Sequence, residues 1–172
     1  MRLDLIVIVP HYIIVKPNDI ILGIDFGDTI ESHNNEGEKV ENPRAMEVIA
    51  RCVKQCRATY VISKVNPRQL AGLTKWCLDH DFFHKTNLPI QNMRFCEKRY
   101  DKGPIASGLC ITHMIDDRPE VMAHMPRSVV KILFNPIVKD VEYWKQDGCI
   151  IVYSWTEIEN ILFGKELVVY ES

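Results

Sequence analysis

The sequence lacks several features that would assign it to common functional classes. Its six cysteines include no CxxC pair, so a finger-like zinc site is not predicted. The formal net charge is −2, so no excess of basic residues predicts general affinity for nucleic acid. No GxGxxG segment follows a predicted strand, which argues against a nucleotide-binding dehydrogenase.

Long hydrophobic runs are also missing. No stretch approaches the ~18 to 20 apolar residues of a membrane-spanning helix, so no membrane partner is expected. The apolar start of the chain is interrupted by Asp4, Pro10 and His11, and no small-residue cleavage site follows, which argues against a signal peptide. We therefore expect residues 1–19 to form additional N-terminal strands. The cysteines are expected to be reduced, buried thiols in a cytoplasmic protein.

The residues that are present have the composition and order of an α/β protein. The chain has 172 residues, 47% of them apolar and 26% charged, which suits a single globular domain over residues 1–172. Short β-rich runs alternate with segments of helical periodicity, a pattern typical of a mainly parallel sheet flanked by helices. Most of these runs are apolar throughout, as expected for strands buried on both faces. The predicted strands cover residues 20–25, 59–62, 93–96, 111–115, 129–134 and 149–153.

Local capping patterns predict where helices begin between these strands. Asn42-Pro43 and Asn66-Pro67 each place a cap residue directly before a proline. Ser154 and Glu157 have capping-box spacing, and residues 140–146 are predicted to form another short helix. The polar segment 31–41 is expected to be an exposed loop or a small hairpin.

Chemically reactive side chains follow three of the predicted strands. Asp25, Ser63 and the pair Asp116-Asp117 each stand at a strand end, and Lys102 opens a helical segment before the last of these strands. Ligands of parallel sheets bind at the carboxyl ends of the strands, so these groups are expected to meet there. Clustered carboxylates are suited to Mg²⁺, a carboxylate nucleophile can form an aspartyl-phosphate, and hydroxyl and ammonium groups can hold phosphate oxygens. The pattern predicts a phosphoryl-transfer site.

The order of these residues resembles that of the haloacid dehalogenase (HAD) superfamily. The segment IDFGDT at 24–29 is similar to the nucleophile motif of that family, and Ser63 after YVI is similar to its second motif. Lys102 in DKGPIA is similar to the lysine of the third motif, and IDDRPEV at 115–121 is similar to the acidic fourth motif. All four occur in the family's order between Asp25 and Asp117.

The resemblance implies a Rossmann-like HAD fold and Mg²⁺-dependent hydrolysis of a phosphomonoester through a phosphorylated Asp25. It implies a metal site formed by Asp25, the carbonyl of Gly27, Asp116 and Asp117. It implies that Ser63 and Lys102 hold the phosphate. Arg118 either pairs with the acidic residues, reaches the substrate or lies on the surface. The candidate catalytic residues are Asp25, Asp28, Ser63 and Lys102, and the candidate substrate-binding residues are Ser63, Lys102 and Arg118.

Position 27 departs from the family pattern. The usual phosphatases of the family carry a second aspartate there as general acid and base, whereas this chain has Gly27 followed by Asp28. A shift of one residue redirects a side chain substantially, so the resemblance does not by itself transfer the role of that aspartate to Asp28. Two hypotheses follow: a phosphatase with slower turnover, or a catalytically weak or inactive HAD-fold protein that binds a phosphorylated ligand or a protein.

The spacing of the motifs predicts an uncovered site. HAD cap domains are inserted between the first and second motifs or between the second and third. The intervals from Asp25 to Ser63 and from Ser63 to Lys102 have no room for a sizeable cap. The resemblance therefore implies a capless member, with the segment 31–41 acting at most as a flap. An open site suits a macromolecular phosphorylated substrate or requires an oligomer partner to close it, with small phosphate esters as the alternative.

Overall fold

The computed structural model describes residues 16–137 and 141–164 of the chain. The strands in this part of the chain are β1 (Ile21–Ile24), β2 (Glu31–His33), β3 (Lys39–Glu41), β4 (Ala58–Lys64), β5 (Met93–Cys96), β6 (His113–Asp116), β7 (Val130–Phe134) and β8 (Cys149–Val152). The helices are α1 (Ala45–Gln55), α2 (Pro67–Asp79), α3 (Phe82–Thr86), α4 (Lys102–Gly108), α5 (Pro119–Met122), α6 (Val141–Gln146) and α7 (Trp155–Phe163). None of these helices has the length and apolar content needed to cross a membrane.

Six of the strands form one parallel sheet in the order β5-β4-β1-β6-β7-β8. The chain first builds β4 and β5 on one side of β1, and then returns across β1 to build β6, β7 and β8 on the other side. The direction of winding therefore reverses at β1. The predicted α/β fold with a mainly parallel sheet flanked by helices is confirmed, and the strand order is compatible with a Rossmann-like arrangement.

Helices cover both faces of this sheet. One face packs against α1, α2, α3 and α7 through core residues that include Ile49, Trp76 and Trp155. The opposite face packs against α4 and α5 through residues such as Ala106 and Val121. Because both faces are covered, the strands have apolar residues at successive positions instead of alternating apolar and polar ones.

The predicted strands agree with the observed strands to within two residues at each end. The helix caps predicted at Asn66 and Ser154 are confirmed, since the Asn66 side chain accepts a hydrogen bond from the backbone N–H of Gln69 and Ser154 accepts one from that of Glu157. The short helix predicted over residues 140–146 is observed as α6, and Asp140, its predicted first residue, lies outside the described residues.

The helix cap predicted at Asn42-Pro43 is wrong. Helix α1 begins at Ala45, after Arg44, which has a left-handed backbone with φ of 68°. The Asn42 side chain is used elsewhere, because its amide donates a hydrogen bond to the carbonyl oxygen of Thr29 at 2.9 Å. This bond fastens the start of α1 to the segment that follows β1.

The predicted N-terminal strands lie mostly outside the described residues, which begin at Lys16. The part of the prediction that the structure covers is wrong. Pro17–Asp19 form a 3-10 turn, in which the backbone N–H of Ile20 donates to the carbonyl oxygen of Pro17 at 3.0 Å. Proline fixes φ near the value that such a turn requires, which favours the turn over an extended strand.

The polar segment 31–41 forms a small hairpin, one of the two predicted alternatives. Strands β2 and β3 pair antiparallel, and the connecting turn includes Gly37 with φ of 80°. The expected exposure is wrong at the first residue of the hairpin, because Glu31 is only 3% exposed. The hairpin therefore carries a buried carboxylate toward the centre of the molecule.

The cysteines are free, and most of them are buried, as predicted. Cys52, Cys56, Cys77 and Cys149 are buried and Cys96 is half-buried. Cys110 departs from the prediction, because it is exposed in the turn after α4, where its φ is 53°.

The burial of His113 predicts a loss of stability in acid. His113 lies on β6 and is 6% exposed, and this burial lowers the pKa of its imidazole from 6.5 to about 4. The unfolded chain therefore binds a proton at His113 at a higher pH than the folded chain does. The stabilising contribution is complete above pH 6.5 and is lost progressively as the pH falls toward 4, by about 3 kcal/mol in all.

The variant His113→Gln tests this expectation, because glutamine keeps a polar side chain and does not titrate. Urea unfolding between about pH 7 and pH 4 should show a smaller loss of unfolding free energy in His113→Gln than in the wild type. The exposed residue His124 provides the control, and His124→Gln should retain the wild-type pH dependence. Equal losses of unfolding free energy in the wild type and both variants would show that His113 does not cause the loss of stability in acid.

Candidate active site

A cleft of about 430 Å³ opens at the edge of the sheet where β1, β4 and β6 end. Because the winding reverses at β1, this is the place where open α/β sheets bind ligands. The cleft is lined by the segment after β1, the β2–β3 hairpin, the start of α2, the residues around the start of α4 and the turn after β6.

Three carboxylates meet at the base of this cleft. Asp25 follows β1, Asp116 ends β6, and Asp117 comes next in the chain. Ile24 pairs with Ile115 in the parallel register of β1 and β6, so the residues that follow them, Asp25 and Asp116, are neighbours. One oxygen from each of the three aspartates lies within 4.8 Å of the other two. The structure therefore brings together acidic groups that are far apart in the sequence.

The ammonium of Lys102 is buried between two of these carboxylates. Its Nζ lies 2.6 Å from Oδ1 of Asp25 and 2.7 Å from Oδ2 of Asp116, and the residue is 2% exposed. Burial opposes its charge, but the two neighbouring carboxylates outweigh burial and raise the pKa of the Lys102 ammonium above its ordinary value. A permanent cation therefore holds Asp25 in place.

A glycine allows Lys102 to reach this position. Gly103 packs so closely against the segment after α5 that a Cβ at this position would clash with the carbonyl oxygen of His124. The lack of a side chain lets the first turn of α4 approach that segment, which sets the depth at which Lys102 enters the site.

The acidic pair after β6 has one fully buried member and one member at the cleft. Asp116 is 0% exposed, and its Oδ1 accepts a hydrogen bond from the backbone N–H of Arg118 at 2.9 Å. Asp117 lines the cleft, and its Oδ2 lies 2.9 Å from Nε of Arg118. Burial and then the charge of Asp25 raise the pKa of Asp117 to about 7, and the same two causes raise the pKa of Asp116. Elevated carboxyl pKa values indicate crowded negative charge, which a bound cation would relieve.

Asp28 and Arg118 form an ion pair at the rim of the cleft. Nη2 of Arg118 lies 3.2 Å from Oδ2 of Asp28, whose side chain is 51% exposed and whose backbone is left-handed with φ of 57°. Arg118 therefore contacts Asp28 and Asp117 together while it lines the cleft. The predicted pairing of Arg118 with acidic residues is observed, and its place in the lining of the cleft is also compatible with contact to a substrate.

Ser63 and Gly27 also line the cleft. Ser63 lies near the end of β4 and is 4% exposed. No atom lies within 4 Å of the place that a Cβ of Gly27 would occupy, so the space beside this residue is open. The predicted site residues therefore all line the cleft except Asp116, which lies behind Lys102.

Several charged residues of the cleft were missed by the sequence reasoning. The polar segments that contain them predict solvent exposure. Only the charge of these residues suggests that they could take part in binding. Glu31 was the hardest of them to predict, because its burial depends on contacts with Phe26, Gly27 and Lys39 that the sequence does not reveal. The missed residues are Glu31, Lys39 and Arg68.

The donor set of the site fits a hard divalent cation. It consists of carboxylate oxygens from Asp25, Asp116 and Asp117, without histidine or cysteine. Mg²⁺ prefers oxygen ligands and keeps waters or phosphate oxygens in its remaining positions, which an open cleft permits. The cluster is therefore chemically compatible with Mg²⁺.

Comparisons with known proteins give no family assignment for this chain. No protein-family model matches it, and no curated protein matches it either. Its function must therefore be inferred from the geometry of the cleft and from the order of its motifs.

Proposed function

We propose that the protein is a Mg²⁺-dependent phosphohydrolase of the HAD type, which cleaves a phosphomonoester through an aspartyl-phosphate at Asp25. The observation that carries the proposal is the meeting of Asp25, Asp116 and Asp117 within 4.8 Å, beside the buried ammonium of Lys102. Buried carboxylates are costly to bring together, and the two cations Lys102 and Arg118 face four carboxylates, because Arg118 also pairs with Asp28. Such an arrangement is typical of a site that binds a further cation and an anionic ligand.

Asp25 supplies the nucleophile in this proposal. Its carboxylate attacks phosphorus, the ester bond breaks, and the leaving oxygen takes up a proton. Water then attacks the phosphorus of the aspartyl-phosphate, which releases inorganic phosphate and regenerates the carboxylate. The contact of 2.6 Å between Lys102 and Oδ1 of Asp25 supports this role, because it fixes the orientation of the carboxylate before the substrate binds.

Ser63, Lys102 and Arg118 are the groups that hold the phosphate. A hydroxyl, an ammonium and a guanidinium at one cleft provide donors for the oxygens that are not transferred. Mg²⁺ would be held by Asp25, the carbonyl of Gly27 and the Asp116-Asp117 pair, and would supply charge neutralisation to the phosphoryl group.

The missing carboxylate at position 27 bears on the rate of the reaction. General acid–base catalysis contributes ~10² to 10⁴-fold, so its absence would slow the reaction and leave phosphate binding intact. Asp28 is held at the rim by Arg118, with its side chain 51% exposed. The second candidate function, a HAD-fold module that binds a phosphorylated ligand or a protein without turnover, is favoured by Gly27 alone.

The open cleft supports a macromolecular phosphorylated substrate. Within residues 16–137 and 141–164, only the small β2–β3 hairpin stands over the site, and no cap domain is present. The half-buried Lys64 and the exposed Arg68 extend the positive charge from the phosphate site along one wall. Such a wall suits a substrate with further negative charges near its phosphate.

Metal-dependent turnover of p-nitrophenyl phosphate tests the function. The wild-type protein should hydrolyse it with Mg²⁺, EDTA should lower the rate by at least about tenfold, and added Mg²⁺ should restore the rate. Removing one metal ligand with Asp117→Asn should raise the half-saturating Mg²⁺ concentration by about tenfold.

The matched control for Asp117→Asn is Asp147→Asn. Asp147 precedes β8 and therefore lies at the opposite edge of the sheet, where it pairs with Lys131 at 3.5 Å. This variant should keep the wild-type rate and metal dependence. Turnover that is unaffected by EDTA would contradict the proposed function, and tight phosphate binding without turnover would favour the binding module.

A further inference from the structure

The hairpin beside the nucleophile carries a buried carboxylate that the reaction described above does not use. Glu31 is the first residue of β2 and is 3% exposed, yet it lines the same cleft as Asp25. A carboxylate is rarely buried to this extent unless it is fully bonded. The hydrogen bonds and ion pairs of the Glu31 carboxylate are therefore informative about its role.

Only one of the two Glu31 carboxylate oxygens is occupied. Oε1 lies 2.6 Å from Nζ of Lys39, a half-exposed residue of β3 that is paired with His33 and so lies diagonally across the hairpin from Glu31. Oε2 is shielded from bulk solvent and has no hydrogen-bond partner among residues 16–137 and 141–164. A buried acceptor that lacks a protein partner costs free energy, so its donor is expected from the contents of the cleft.

The backbone brings Glu31 beside the position where the sequence departs from its family pattern. Glu31 forms an isolated β-bridge with Gly27, and its N–H donates to the carbonyl oxygen of Phe26 at 3.3 Å. The space beside Gly27 is open, since no atom lies within 4 Å of the place that its Cβ would occupy. The hairpin therefore supplies a carboxylate to a wall of the cleft where position 27 supplies none.

Glu31 is better placed for proton transfer than its neighbour Asp28. The Asp28 side chain is 51% exposed, and its carboxylate is bound to Arg118 at 3.2 Å. The Glu31 side chain is 4% exposed and has a free oxygen within the described residues. Glu31 is also not among the residues that form the carboxylate cluster of the metal site.

We propose that Glu31 is the general acid and base of the reaction at Asp25, an inference that rests on the proposed phosphohydrolase function. In the first step Asp25 attacks phosphorus, the bond from phosphorus to the leaving oxygen breaks, and that oxygen takes a proton from Glu31. In the second step water attacks the aspartyl-phosphate and gives a proton to Glu31. The bond from phosphorus to Asp25 breaks, and inorganic phosphate leaves.

This assignment predicts different effects of Glu31→Gln on the two steps. Nitrophenolate leaves without a proton, so the first step with p-nitrophenyl phosphate should change little, while the second step should slow by about 10²-fold. The variant should release a burst of about one equivalent of nitrophenolate and accumulate phosphorylated enzyme. With an alkyl phosphate, whose leaving oxygen needs a proton, the first step should slow as well and no burst should appear.

Two further variants separate catalysis from support of the hairpin. Glu36 is exposed at the tip of the same hairpin, and Glu36→Gln should behave as the wild type. Glu31→Ala removes the carboxylate, and added formate should restore part of its turnover, which it would not do for a residue that only stabilises the hairpin. The formate experiment also decides the case if Glu31→Gln proves too unstable for rapid kinetics.

The outcomes distinguish this inference from the function on which it rests. If the wild type shows no Mg²⁺-dependent turnover, the proposed function fails and Glu31 has no reaction to catalyse. If the wild type is active and Glu31→Gln matches it with both substrates, only the role of Glu31 is wrong. Loss of turnover without phosphoenzyme accumulation and without formate rescue would also overturn this role. A burst with p-nitrophenyl phosphate, together with formate rescue, would support it.

Discussion

Replacing Asp25 with asparagine is expected to lower kcat for p-nitrophenyl phosphate by at least about 10³-fold. An amide is not a useful nucleophile toward phosphorus, so the covalent route is closed. The substitution leaves Lys102 bound to Asp116 at 2.7 Å, so no buried charge loses its only partner. Steady-state kinetics of the wild type and Asp25→Asn measure the effect, and urea unfolding should show similar stability for the two proteins.

Asp147→Asn is the control that shows whether the loss of activity is specific to the carboxylate of Asp25. Both variants remove one carboxylate, but Asp147 lies at the opposite edge of the sheet. Asp147→Asn should therefore keep the wild-type kcat. If Asp25→Asn retained a rate within a few-fold of the wild type, Asp25 would not be the nucleophile.

The second large effect is expected from Lys102→Met, which removes the buried cation and keeps an unbranched apolar side chain. The variant leaves Asp25 and Asp116 facing each other without the ammonium that bonds both of them. Breaking a buried ion pair by removing one partner costs about 3 to 5 kcal/mol, because the remaining charge stays buried. Urea unfolding in the absence of metal should show a loss of this size, and turnover should be lost as well.

Magnesium provides a second readout for Lys102→Met. A cation that binds the carboxylate cluster should recover part of the lost stability, so the variant should gain more from added Mg²⁺ than the wild type does. Lys145→Met is the control, because Lys145 is exposed on α6 and its pair with Glu142 lies at the surface. That variant should change stability by less than about 1 kcal/mol. A Lys102→Met protein as stable as the wild type without metal would show that the buried ion pairs are not structural.

The sheet and the base of the site were predictable because both depend on local patterns. Apolar runs mark strands buried on both faces, and the carboxyl ends of adjacent parallel strands meet at one edge. The proximity of Asp25 and Asp116 follows directly from this rule, since each comes directly after a residue in a pair that joins β1 and β6. Only the parallel order of the strands was needed to bring them together.

The start of α1 and the burial of Glu31 depend on contacts between residues that are distant in the chain, which the sequence does not reveal. Residues Asn42-Pro43 have the local form of a helix cap, but Asn42 bonds to Thr29 and α1 begins later. Glu31 belongs to a polar segment that resembles solvated surface, and it is buried because the hairpin bridges Gly27 and because Lys39 pairs with it. Tertiary contacts outweigh local propensity at these positions.

The acidic pair after β6 illustrates the same limit within the site. The resemblance implies a metal site that includes both Asp116 and Asp117, but the sequence does not show how far each of them is buried. In the structure Asp116 is fully buried behind Lys102, whereas Asp117 reaches the cleft and Arg118. This difference arises because successive residues at the end of a strand point in different directions.

The most direct measurement is to identify the residue that carries the phosphoryl group during turnover. The wild type would be mixed with labelled substrate and Mg²⁺, quenched in acid and reduced with borohydride, which converts an aspartyl-phosphate to homoserine. Peptide mass analysis should then find homoserine at position 25, with none in Asp25→Asn. Phosphoryl label on a different residue, or homoserine at Asp28 instead of Asp25, would contradict the account.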